Sequence, residues 1–418
     1  MTTGIYVHVP FCRSRCAYCD FFSTIREEMA ASYVEALCRE ITARRHELPH
    51  AHVRTIYFGG GTPSLLSSAL LRQVLETIYE HYDVDADAEV TLEMNPDDWP
   101  FTVSPCKGEE VSAARDDSDL TALLHQGTTG KGRFNRVSLG IQSFDDALLR
   151  LVRRRHDATT AIQVVRALQH EGIDNISIDL IYGLPGQTMA QWEHDLDTTF
   201  SLGVQHLSAY ALSYESGTLL TRWRDEGLVR EVTDEQSVKM YERLCQRARE
   251  AGFEHYEISN FARPGFHSRH NSSYWTGAPY LGFGPGAHSY DGLRTRRANR
   301  PTLDEYISYW SSPFAGGLDD DLSTSLCEET APVVTVERLT DDELYDEAVM
   351  CGLRTSRGIR LEDISKRFGP DRLSYLRRMA ETHLRTGHLV EEDGHLRLSE
   401  SAIMISDDIM SDLMAIDT

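Results

Sequence analysis

Phe11-Cys12-Arg13-Ser14-Arg15-Cys16-Ala17-Tyr18-Cys19-Asp20-Phe21 carries three cysteines at the spacing C-x3-C-x2-C. Thiolates are the usual ligands of iron–sulfur clusters, which take four. Three on one short loop leave one iron open to another ligand. A structural zinc site completed by His8 or Asp20 is the competing reading, since zinc takes four tetrahedral ligands. Position favours the cluster, because the loop directly follows a β-like run at residues 5–9. Tyr18 and Phe21 are placed to shield it from solvent.

Outward from this loop the chain alternates β-like and helical runs. The strands are expected at 5–9, 55–58, 90–93, 136–140, 175–180 and 206–211, all rich in Ile, Val, Tyr and Leu. Helices are expected at 29–46, 70–82, 159–171 and 190–202. Repeated βα units predict an α/β fold with a parallel sheet and helical crossovers. Without a dinucleotide fingerprint, a partial TIM-like (βα)6 barrel is the better expectation. Active sites of such barrels form at the C-terminal ends of the strands. Those ends carry the cysteine loop, then Gly59-Gly60-Gly61-Thr62, then Glu93, Gln142 and Asp179. The glycine run is no P-loop, because no Gly-Lys-Ser/Thr follows. It lets backbone groups approach a ligand closely. Glu93, Gln142 and Asp179 each have a bland reading as buried polar groups; together they offer acceptors for an amine or hydroxyls. Arg154, within Arg153-Arg154-Arg155, is by default part of a solvated face, and one of the three can pair with a carboxylate.

Residues 97–133 interrupt the rhythm with Pro105, Cys106, Asp116-Asp117 and Gly127, Gly130 and Gly132, and read as an insertion or extended crossover. Cys106 reads as a lone thiol. The expected division is a barrel over 1–300, a linker over 301–335 that is loop-like at 313–332, and a C-terminal module over 336–418. In that module Thr340 and Glu343 form a capping box. Helices follow at 361–368 and 372–386, then a hairpin at 388–398 with an Asp-Gly turn. Helices followed by a hairpin predict a winged-helix-like module. Acidic residues outnumber basic ones after Ala331, so a structural or docking role is a better reading than DNA binding.

The 418 residues allow two or three domains. A formal charge of −23 repels phosphate backbones and argues against a nucleic-acid partner. Eight cysteines, clustered near one end, fit a reducing cytoplasm and metal chemistry rather than a disulfide scaffold. No apolar run reaches the roughly 18 residues of a membrane span, and no signal peptide is visible.

These residues jointly resemble the radical S-adenosylmethionine (SAM) superfamily. The resemblance implies a [4Fe–4S] cluster on Cys12, Cys16 and Cys19, with SAM on its open iron. Tyr6-Val7-His8-Val9-Pro10-Phe11-Cys12 and Asp179-Leu180-Ile181-Tyr182-Gly183-Leu184-Pro185-Gly186-Gln187-Thr188 are similar to the oxygen-independent coproporphyrinogen III oxidase group. By that similarity Tyr6, Gly60, Gly61, Thr62, Glu93, Gln142, Arg154 and Asp179 would contact SAM. The oxidase carries a further cysteine two residues after the third, and here that position is Phe21. His270-Asn271-Ser272-Ser273-Tyr274-Trp275 is similar to the H-N-x-x-Y-W signature of the group's haem-chaperone branch. This implies haem as cargo, held by His270, Asn271, Tyr274 and Trp275, and client haemoproteins among membrane respiratory enzymes. His270 has the chemistry of an axial ligand, with His267 and His288 in reserve. Arg294, Arg296, Arg297 and Arg300 are placed to meet the propionates. The competing reading is a core histidine and aromatics bracing the end of the barrel. A homodimer is left open. The alternative function is the oxidase itself, which decarboxylates coproporphyrinogen III to protoporphyrinogen IX.

Overall fold

The computed structural model describes residues 2–48, 51–99, 118–124, 132–312 and 333–415. Six strands lie side by side in chain order and run parallel: β1 (Thr2–Val9), β2 (His52–Gly60), β3 (Asp83–Met94), β4 (Arg136–Gln142), β5 (Ile176–Tyr182) and β6 (His206–Ala211). The helices Ala30–Ala43, Ser68–His81, Ala158–His170 and Met189–Ser201 fill crossovers between them. Their starts are written locally. Ser67 accepts from the Leu70 amide, Asp157 from that of Thr160, and Thr188 forms a capping box with Gln191.

Side chains alternate across each strand with period two. One face is apolar: Ile5, Val7 and Val9, then Ile56 and Phe58, then Val90 and Leu92, all buried in the main core with the crossover helices. The other face is polar. Tyr6, Tyr57, Glu93, Ser138, Asp179 and His206 bond or stack with their neighbours across it. Barrels of this kind usually fill their interior with branched apolar residues. This one keeps a polar lumen, and the strand ends inherit it.

The sheet extends at both edges. β6 pairs with β8 (Asn260–Ala262), which pairs with β7 (Glu254–Glu257). On the other side β1 pairs with β9 (Tyr280–Phe283), followed by β10 (His288–Tyr290), β11 (Thr295–Asn299) and β12 (Val334–Arg338). Among the described residues no pairing joins the two edges, so the barrel is partial. Part of the expected linker is barrel. The helix Leu303–Ser311 buries Leu303, Tyr306 and Trp310 in the main core, and β12 adds a strand to the sheet. Residues 100–117, 125–131 and 313–332, with Pro105, Cys106, Asp116, Asp117, Gly127 and Gly130, lie outside the described residues.

The C-terminal module runs helix Asp341–Leu353, β13 (Ile359–Arg360), helices Leu361–Phe368 and Pro370–Thr386, then the hairpin of β14 (Leu389–Glu392) and β15 (His395–Leu398). This is the winged-helix order. The capping box of Thr340 and Glu343 is present, and Asp393 and Gly394 both take positive φ, as a tight hairpin turn requires. The module has its own core around Tyr345, Leu376 and Ile409. Among the described residues no helix is long and apolar enough to cross a membrane.

Candidate functional site

The cysteine loop is tied at its base and its middle. The Cys12 amide donates to Thr24 O at 2.9 Å, the Thr24 amide to Pro10 O at 2.7 Å, and the Ala17 amide to Val152 O at 3.0 Å. Cys12, Cys16 and Cys19 are free and half-buried. Two sulfurs already receive donors: Thr62 Oγ1 stands 3.6 Å from Cys12 Sγ, and Arg154 Nη1 3.4 Å from Cys16 Sγ. Burial pushes the Cys12 thiol up, and Cys19 to about 11. A coordinated metal would deprotonate them outright.

The zinc alternative fails on His8. Its Nδ1 lies 3.0 Å from Tyr6 Oη and its Nε2 3.0 Å from Phe22 O, so neither ring nitrogen is open. Asp20 is exposed. Among the described residues no three His, Cys, Asp or Glu donors converge on one ion. A four-iron cluster suits this loop better, because it takes each thiolate on a different iron. Phe21 departs from the expected shielding role: it is 64 % exposed.

The glycine run is pressed against the root of this loop. A Cβ on Gly61 would stand 2.6 Å from Phe11 O and 2.9 Å from Val9 O, and one on Gly60, at φ +107°, 2.6 Å from the His8 ring. Only glycine allows both that approach and that backbone. Beside it, Tyr57 Oη donates to Glu93 Oε1 at 2.6 Å, and the Gly60 amide to Glu93 Oε2 at 3.2 Å. Burial raises the Glu93 carboxyl to about 7 against the pull of the Tyr57 bond. Tyr6 stacks on Tyr57.

Arg154 is no part of a solvated face. It is half-buried, donating to the Gly140 carbonyl, to Asn95 Oδ1 at 2.5 Å and to Cys16. A Cβ on Gly140 would meet Arg154 and the Gln142 amide, so that glycine leaves their space. Gln142 is turned there by φ 73° at a register shift against β5. Asp179 lies deeper, opposite Gly140, accepting from Ser138 at 3.1 Å. The structure thus gathers the glycines, Thr62, Glu93, Gln142 and Arg154 around the cysteine loop, with Asp179 below.

Three residues were missed. Asn95 joins Thr62 to Arg154 through its side-chain amide. Arg136, 1 % exposed, points its guanidinium into the lumen, where among the described residues Nε and Nη1 have no hydrogen-bond partner; nor has Thr91 Oγ1. Nearby Glu89, whose oxygens accept from the amides of Arg269 and His270, supports the buried Arg136 through its charge. The readable signal was the polar alternation of Arg136, Ser138, Gly140 and Gln142 along β4.

At the opposite, N-terminal ends of the strands lies the helix Arg269–Trp275. Here the residue expected as axial ligand is buried and hydrogen-bonded at both ring nitrogens. His270 is 1 % exposed, with Nδ1 2.8 Å from Thr55 Oγ1 and Nε2 2.8 Å from Tyr274 Oη. Its ring stacks on Tyr57 at 5.0 Å, and burial pushes its pKa down to about 3. Both nitrogens are spent on bracing the barrel floor, so no lone pair is open to iron. Below His270, Tyr274 and Trp275 line a cleft of about 810 Å³ between the barrel floor and the C-terminal module. His267 and Arg296 line it too. His288, Asn271, Arg294, Arg297 and Arg300 are not among its lining residues. Arg294 pairs instead with Asp341.

Comparison with known proteins agrees with this architecture. The radical SAM superfamily model matches residues 6–199, and the HemN C-terminal domain model residues 339–405. The heme chaperone HemW of Synechocystis sp. is 35% identical over 366 residues, covering 86% of this chain and 79% of the relative. HemW of Lactococcus lactis is 33% identical, covering 87% and 84%, and HemW of Bacillus subtilis 32%, covering 87% and 86%. Among solved structures, the Escherichia coli coproporphyrinogen III oxidase HemN, described as a radical SAM enzyme, aligns with a TM-score of 0.75 at 20% identity, over 99% of this chain and 90% of that one. That likeness establishes the shared fold. Three cysteines on the first strand's loop, a glycine cradle beside them, a winged-helix module behind, and relatives that match along most of their length lead to one conclusion: the chain belongs to the HemW family of the radical SAM superfamily.

Proposed function

We propose that this protein is a haem chaperone that carries haem to client haemoproteins in the cytoplasm. The observation that carries the reading is the near full-length similarity to relatives named heme chaperones. Phe21, standing where the oxidase group has its further cysteine, supports it. With clients among membrane respiratory enzymes, any contact with the membrane would come through the client.

In this reading Cys12, Cys16 and Cys19 hold a [4Fe–4S] cluster, and Tyr6, Gly60, Gly61, Thr62, Glu93, Gln142, Arg154 and Asp179 form the SAM site. When bound, such a cluster supplies one electron to SAM. The chain's own residues do the positioning. Thr62 and Arg154 donate hydrogen bonds to thiolate sulfurs, and such outer partners fix a ligand's orientation. Gly60 and Gly61 admit the ligand close to backbone, and Glu93 offers an acceptor for an amine or hydroxyl. We also place the functional division after β12, with the barrel ending near Arg338 and the module following it.

The test is one anaerobically reconstituted sample, titrated with haem and then assayed with coproporphyrinogen III. Saturable haem binding without decarboxylation is the expected result. Turnover to protoporphyrinogen IX would make the protein an oxidase.

A further inference from the structure

We propose that the cleft between the barrel floor and the C-terminal module is the cargo site. It takes iron protoporphyrin flat against its aromatic wall, with the iron on His395 and the two propionates on Arg357 and Arg367. The proposal rests on the haem-carrier reading and deepens it by giving the ligand a place.

The cleft of about 810 Å³ falls inside the roughly 300–1,000 Å³ of cofactor sites. The barrel side contributes Tyr274, Trp275, Tyr280 and Tyr290, and the module contributes Phe368. These rings are braced. Arg354 lies 4.7 Å over the Trp275 ring, and Tyr274 meets Tyr280 edge-on at 4.8 Å. Braced aromatic surface suits a rigid, flat, apolar macrocycle, because little side-chain freedom is lost on binding.

Charge selects among flat ligands. Four arginines line the cleft, Arg296, Arg357, Arg360 and Arg367, against two carboxylates, Glu347 and Asp363. A cationic surplus runs against the character of a chain whose formal charge is −23. Arg296 is taken by Glu347 at 2.8 Å and Arg360 by Glu362 at 2.5 Å. Arg357 has no ionic partner among the described residues, and Arg367 only the ring of Phe368. Two uncommitted guanidiniums match two propionates.

The sulfur and imidazole donors on the lining are Met350, Cys351, His267 and His395, and the Met350 thioether is a weak acceptor. Burial pushes the Cys351 thiol up, which keeps it protonated. His267 gives Nε2–H to Glu254 at 2.8 Å, which leaves only Nδ1, the nitrogen beside its own backbone, and its ring is held in a stack on Tyr256 at 4.2 Å. His395 Nδ1 stands 3.1 Å from the Asp393 carbonyl. That contact fixes the tautomer with Nδ1 protonated and leaves the Nε2 lone pair open, the usual arrangement of a neutral histidine ligand.

Full-length protein and three variants are titrated with haem and with its dimethyl ester, following the Soret band, with circular dichroism as the check of folding. His395→Ala should weaken binding and shift the band. The double variant Arg357→Ala/Arg367→Ala should lose about tenfold or more in affinity for haem, and little for the ester. His270→Gln should leave the band where it is. Haem binding by the wild type with band and affinity unchanged in both cleft variants overturns the cleft placement alone. No haem binding by the wild type overturns the carrier reading itself.

Discussion

The two ends of the barrel lumen are built from different materials. At the mouth, glycines remove side chains so that backbone, thiols and a few charged groups crowd together, and most of those groups already bond one another. At the floor, aromatic rings and arginines from two cores face an open cleft, and among the described residues two of those arginines lack a carboxylate partner. The mouth is a close lattice of short polar contacts. The cleft is an open aromatic wall. His270 stands between them, touching Tyr57 of the mouth on its ring face and Tyr274 of the cleft through Nε2.

If the two ends are separate sites, the largest effect should be confined to one of them. Cys12→Ala, Cys16→Ala and Cys19→Ala should each abolish the visible absorbance of the cluster after anaerobic reconstitution. Haem affinity of the same variants should stay within about twofold, because sites without shared partners perturb each other little. Loss of haem binding along with the cluster would merge the two ends into one site.

The partition between them was only half legible in the sequence. The cysteine loop, the βα rhythm and the Asp393-Gly394 hairpin depend on neighbours a few residues apart, and spacing alone reveals them. The polar lumen also lay open in the alternation of β4, but attention to strand ends passed over Arg136. The role of His270 was hidden for a different reason. Its partners Thr55 and Glu89 lie 215 and 181 residues away, so an exposed ligand and a buried brace read alike. Arg154 was hidden in the same way, since its partners Asn95 and Cys16 lie on other strands' loops. The stretch after Arg300 broke the βα rhythm and so read as a linker, although Leu303, Tyr306 and Trp310 stand at helical spacing.

A brace and a ligand respond differently to removal. His270→Ala should lower the thermal midpoint, a loss of about 2–5 kcal/mol, since it leaves a void, the buried Thr55 hydroxyl and the half-buried Tyr274 hydroxyl short of a partner. The pH dependence gives a second signature. Folded, His270 stays neutral down to about 3. Unfolded, it takes up a proton near pH 6.5. Between those values the unfolded chain binds more protons, so stability falls as the pH drops through the window. His270→Gln should flatten that slope relative to wild type in melts from pH 7 to pH 4. An unchanged slope would return His270 to the list of free groups.

The smallest effect separates mouth from floor by titration alone. Burial holds Glu93 near 7, whereas His270 is silent at that pH. An ionised carboxylate only accepts hydrogen bonds, and a protonated one must lose its proton before accepting from an amine at both oxygens. SAM affinity should therefore rise with pH between 6 and 8, at most about tenfold per unit below the carboxyl's midpoint. Glu93→Gln should bind SAM more weakly and with little pH dependence, as equilibrium dialysis would read. Asp179 contributes to the same profile, because its charge helps to raise Glu93. Asp179→Asn should then move the midpoint down rather than remove it. A wild-type profile already flat across pH 6–8 would mean that Glu93 does not meet the ligand, and the mouth would lose the acceptor that distinguishes it from the cleft.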